Sequence, residues 1–171
     1  MRKLLSTVTA VGLLVAGTTV LAASKEEEVA KYVKDLKSGA AKTRATAAEE
    51  IGKIAQVKAS YGKPALKPLL DVLADKDATV RRAAATALAR LDDPKETVPA
   101  LAKLLKDDKN QQVRVAAAGG LGLMGAASKD AVPTLREVAK EARDAGKSAQ
   151  PLAQACNQAI QQIMGRNRKQ S

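Results

Sequence analysis

The stretch ALKPLLDVLADKDATVRRAAATALARL, residues 65–91, decides the fold. Leu66, Leu69, Leu70 and Leu73 recur at helical spacing and make one apolar face. Asp75, Lys76 and Asp77 follow as a turn with a helix-capping residue. Val80, Ala84, Ala87, Leu88 and Leu91 then make a second helical face. The stretch is a helical hairpin whose two apolar faces must be buried against something.

The same hairpin recurs along the chain. Four pairs are expected, at about 25–37 with 42–57, 63–74 with 78–91, 95–106 with 111–124, and 129–145 with 148–165. Arg44, Arg81 and Arg114 mark the second helices at spacings of 37 and 33 residues. In the third pair Val98-Pro99-Ala100-Leu101 opens the first helix, Asp107-Asp108 makes the turn and Val113-Arg114 opens the second. The first pair has Thr43 for the valine and Ser38-Gly39 for the aspartate turn. The fourth has Leu152-Ala153 where Val-Arg would stand. The divergent units are the terminal ones, where solenoids carry caps.

The order Leu69-Leu70, Leu73, Asp75, Val80-Arg81, Ala84, Ala87-Leu88, Leu91 resembles the HEAT repeat, and the PBS-lyase-like HEAT variants are similar. The resemblance implies an all-α, right-handed solenoid of about four helix pairs. It also implies a ladder in which Arg44, Arg81 and Arg114 reach turn carbonyls and aspartates, Asp75 and Asp107 among them, across repeat junctions. Nothing supports lyase activity.

Composition agrees with stacked helices. Apolar residues are 46% of the 171, yet aromatics are 1%, with two Tyr and no Trp or Phe. Such a core is assembled from many small helix contacts, and Ala, Leu, Lys, Arg and Glu all favour helix. No strand-type alternation occurs. With no His and one cysteine, Cys156, there is no intrachain disulfide and no cysteine metal cluster, and the common zinc, haem and triad constellations are absent. No cofactor or metal site is expected. Cys156 shares an inward face with Leu152, Ile160 and Ile163, as a small buried residue; a reactive thiol is the alternative. An enzyme would have to work with Asp, Glu or Lys alone, and the pairs Asp92-Asp93 and Asp107-Asp108 sit in turns where capping explains them.

Three segments are expected. Residues 1–23 read as a secretory signal peptide, with basic Arg2 and Lys3, an uncharged run from Leu4 to Ala23, and the small-residue pattern Val20-Leu21-Ala22 before the cut. The alternative is an uncleaved membrane anchor, and only then is a membrane a partner. Residues 24–164 form the repeat domain, and 165–171 a basic flexible tail. Export is expected from the leader, with a bacterial periplasm or the exterior as the expected compartment.

In HEAT solenoids the second helices line the concave, binding surface. Aligning Val80 with Thr43, Val113 and Leu152 puts the residues two, six and ten positions later on one outward stripe. The stripe reads Ala45, Glu49, Lys53; Arg82, Thr86, Arg90; Val115, Gly119, Leu123; Gln154, Gln158, Gln162. It passes from mixed charge through a basic ridge and an apolar strip to a glutamine row. Lys53, Arg82, Arg90, Val115, Gly119, Leu123 and Gln158 are the candidate partner contacts. Gly119, Gly120 and Gly122 each cost about 1 kcal/mol against Ala in a helix. They serve either close packing with a neighbouring helix or a smooth patch for a partner.

The expected function is a non-enzymatic scaffold or adaptor for an unidentified protein, with Arg82 and Arg90 steering acidic groups. The net charge of +11 keeps a second class open, a binder of nucleic acid, acidic glycan or anionic lipid. The charges are spread among acidic neighbours, and two scattered tyrosines make a poor stacking platform, so nucleic acid is disfavoured.

Overall fold

The computed structural model describes residues 25–165. The expected signal peptide, and the expected tail apart from Gly165, lie outside the described residues. Within them the chain is helix and turn throughout, without a strand, and the fold is an all-α solenoid.

The first pair is α1 (25–35) and α2 (Ala41–Val57). The second is α3 (Ala59–Gly62) and α4 (Leu66–Asp71), then α5 (Ala78–Leu88). The third is α6 (Pro94–Asp107) with α7 (Gln111–Leu123). The fourth is α8 (Val132–Asp144) with α9 (Gln150–Ile163), each led in by a 3-10 turn, Gly125–Ala131 and Lys147–Ala149. Helix starts follow local chemistry. Asp77 caps α5 by accepting from the Thr79 N–H at 2.8 Å, and Asn110 caps α7 by accepting from Gln112 at 2.9 Å.

One expected helix is broken. Residues 63–74 form α4 between two 3-10 turns, Lys63–Ala65 and Val72–Ala74. Pro64 and Pro68 account for it: Pro68 has no N–H for the carbonyl four residues back, and its ring crowds that carbonyl.

The second helices α2, α5, α7 and α9 pack side by side in chain order as one layer. Helices α6 and α8 form the other layer, against α7 and α9. Two apolar clusters fill the space between. Ile51, Leu69, Leu88 and Leu91 belong to one, and Leu101, Leu121, Leu135 and Ile163 to the other. Helix α5 serves both, giving Ala84 and Ala87 to the first and Ala85, with Ala89 at its C-cap, to the second. Each fully buried leucine contributes about 1.5–3 kcal/mol, and the alanines let the helices approach closely. Tyr32 and Tyr61 pack half-buried against the first cluster, with the Lys58 ammonium 5.2 Å from the Tyr61 ring centre. Cys156 is fully buried, and burial pushes its thiol up to about 11, so it stays protonated at neutral pH.

Candidate functional site

The arginine ladder holds one repeat to the next. Arg44 donates from Nε and Nη2 to both oxygens of Asp75, at 2.6 and 2.8 Å. Its Nη1 donates to the carbonyls of Ser38 and Gly39 at 2.9 and 3.1 Å. Arg81 repeats the pattern on the carbonyls of Asp75 and Lys76, at 2.8 and 3.2 Å. Its fork closes on Asp108, at 2.6 and 2.9 Å. These bidentate, charge-assisted bonds hold the Asp75 and Asp108 carboxyls below the usual carboxylate range. The last rung differs: Arg114 donates to the Leu105 carbonyl at 2.8 Å and reaches Glu141 on α8 only at 3.5 Å.

Asp107 is not a rung, contrary to the sequence expectation. It is the last residue of α6 and is exposed. Asp108 has left the helix with extended backbone and accepts from the Asn110 N–H at 2.8 Å. Asp75 does the same with the Asp77 N–H at 2.9 Å. This local turn aims the carboxylate at the arginine of the preceding repeat. In both turns the acceptor stands two residues before the cap and six before the next arginine, a register visible in the sequence.

None of the twelve stripe positions is buried. On the layer of second helices eight of them line two adjoining depressions. The larger, of about 650 Å³, is lined by Glu49, Arg82, Thr86 and Val115, with Gln111 and Pro151. The other, of about 380 Å³, lies over α7 between α5 and α9 and is lined by Thr86, Val115, Gly119, Leu123, Gln158 and Gln162. Leu123 is 61% exposed. Sequence reasoning passed over Ala116, Ala155 and Gln111, which also line these depressions. Ala116 and Ala155 stand beside the stripe on the same helices, and Gln111 continues it one turn before Val115.

Two candidates stand apart from these depressions. The exposed Lys53 donates to Glu50 at 2.6 Å and borders a smaller hollow with Lys25, Val57 and Tyr61. Arg90 is half-buried, its guanidinium laid over Gly52: Nη1 is 3.3 Å from where a Cβ there would stand. Of the expected basic ridge, Arg82 alone faces the groove.

The three glycines of α7 divide. A Cβ on Gly120 would stand 3.0 Å from Leu101 Cδ1 and 3.2 Å from Ala89 Cβ. One on Gly122 would meet the Gln162 amide and stand 2.9 Å from Ala159 Cα. Both serve close helix packing. Gly119 is exposed, and nothing lies within 4 Å of its Cβ position.

The repeat chemistry has a counterpart among known families. The family model for HEAT repeats matches the chain twice, over residues 29–122 and 66–153. No curated protein matches it. HEAT repeats commonly serve as protein-interaction scaffolds and are typically non-enzymatic. With its arginine–aspartate junctions and layered helix pairs, the chain belongs to the HEAT-repeat family.

Proposed function

We infer that this protein is an exported, non-enzymatic scaffold that binds a protein partner along the layer formed by α2, α5, α7 and α9. One observation carries the reading: the apolar strip Val115–Gly119–Leu123 lines two adjoining depressions, with Val115 half-buried and Gly119 and Leu123 exposed. A leucine 61% exposed at the end of a helix whose other face is core has no structural role to discharge. The signal-like residues 1–23 support export, and Arg82 at the groove supports a partner that carries acidic groups.

The test is capture of partners from an envelope extract with the whole chain as bait, washed at low and then high salt. A protein retained at high salt and lost with Leu123→Asp supports the reading. The Leu123→Asp variant should keep its stability within about 0.5 kcal/mol, as surface changes do. Capture dominated by nucleic acid or anionic glycan, and lost at high salt, would replace the reading with that of a polyanion binder.

A further inference from the structure

The geometry points to an extended acidic-aliphatic peptide segment as the occupant of the α7–α9 groove: an aliphatic side chain over Gly119, backbone groups bonded by Gln158 and Gln162, and a carboxylate at Arg82. This rests on the reading of the second-helix layer as the binding face and narrows it to one kind of partner.

Thr86 and Ala89 border the groove on the α5 side of α7, and α9 borders it on the other; the α7 and α9 linings differ. The α7 wall is apolar, with Val115 and Leu123 one turn to either side of Gly119. Gly119 has no packing neighbour to accommodate, unlike Gly120 and Gly122, yet it weakens the helix by about 1 kcal/mol against Ala. What it leaves is a dent the width of one side chain. The α9 wall presents the amides of Gln158 and Gln162. A glutamine amide both donates and accepts, as a peptide unit does.

Dimensions favour an extended chain over a helix. Val115 to Leu123 spans about 12 Å at 1.5 Å per residue, the length of about four extended residues. Gln158 and Gln162 are about 6 Å apart along α9. Extended backbone presents same-facing groups every two residues, about 6.6 Å apart, so both amides meet backbone in register. A helical occupant has its backbone groups already bonded and would leave both amides without backbone partners.

Charge sets the orientation. Beyond Val115 the groove opens into the larger depression, whose lining includes Arg82. Among the described residues Arg82 has no carboxylate partner. Glu49 lines the same depression from α2, one helix further from α7. The carboxylate of the segment therefore lies at the Val115 end.

The probe is a display library of random linear dodecapeptides selected on the whole chain, with the best binders resynthesised. Enriched sequences should pair an aliphatic residue with Asp or Glu within five positions. Their affinity should fall about tenfold in the double variant Gln158→Ala, Gln162→Ala, and about tenfold when the amide next to the aliphatic residue is N-methylated. It should be lost in Gly119→Leu, with a melting temperature no lower than that of the unaltered chain. Binders lost in Leu123→Asp but indifferent to both the glutamine variant and N-methylation would overturn the extended, backbone-bonded mode and leave the binding face standing. A selection with no enrichment, or with binders indifferent to Leu123→Asp and Gly119→Leu, would overturn both.

Discussion

Asp107 and Asp108 are neighbours of the same type, and the turn of Asp108 from helical to extended backbone separates their roles. Asp108 accepts two guanidinium bonds from Arg81 across a repeat junction, while Asp107 ends its helix in solvent. Asp108→Ala should cost on the order of 2 kcal/mol, because it removes charge-assisted bonds and leaves a part-buried guanidinium without its acceptor. Asp107→Ala should change stability by less than about 0.5 kcal/mol. Urea melts of the two variants distinguish them; equal costs would contradict the rung assignment. The pH dependence has a definite sign. Arg44 and Arg81 lower the Asp75 and Asp108 pKa in the folded state, so these aspartates add stability in full above the unfolded value near 4. That stability is lost as pH falls through the lower, folded-state values, and Asp108→Ala should flatten the acid limb of the stability curve.

At the scale of the helix, α7 is the element under strain from its own composition. Its three glycines weaken it, and the neighbours differ in whether they repay that cost. Gly119→Ala meets open space and should raise stability by up to about 1 kcal/mol. Gly122→Ala would place a methyl 2.9 Å from the backbone of Ala159. Pushing α7 off α9 should outweigh the propensity gain and destabilise by about 1–3 kcal/mol. Thermal melts of the two alanine variants, moving in opposite directions, check the division between packing glycine and surface glycine. Helix α4 carries a related lesson. Its leucine face was visible, but the prolines inside it broke the helix into short pieces, and Leu69 still reaches the core.

The whole molecule is a short stack whose two apolar clusters meet at α5. Repeat arrays are coupled through nearest-neighbour interfaces, and here one helix is the shared neighbour. Leu88→Ala, in the first cluster, should cost about 2–5 kcal/mol and lower amide-exchange protection in α2 and α7 together. Protection lost in α2 alone would mean that the halves open independently. Hairpin number, pair boundaries to within a few residues and the outward stripe were legible from residues 25–165, because helical spacing of Leu and Ala, the cap Asp77 and the Asp107-Asp108 turn are local signals. The arginine–aspartate ladder came with the family pattern; Asp75 is a rung as expected, and only at Asp107 was the register off by one, because adjacent aspartates look alike until backbone direction separates them. Tertiary packing alone decided two things. It laid Arg90 over Gly52 and left Arg82 at the groove. It made Gly120 and Gly122 answer to neighbouring helices while Gly119 faces open space. Each depends on which side chain of a distant helix stands opposite, and spacing along one chain carries no information about that distance.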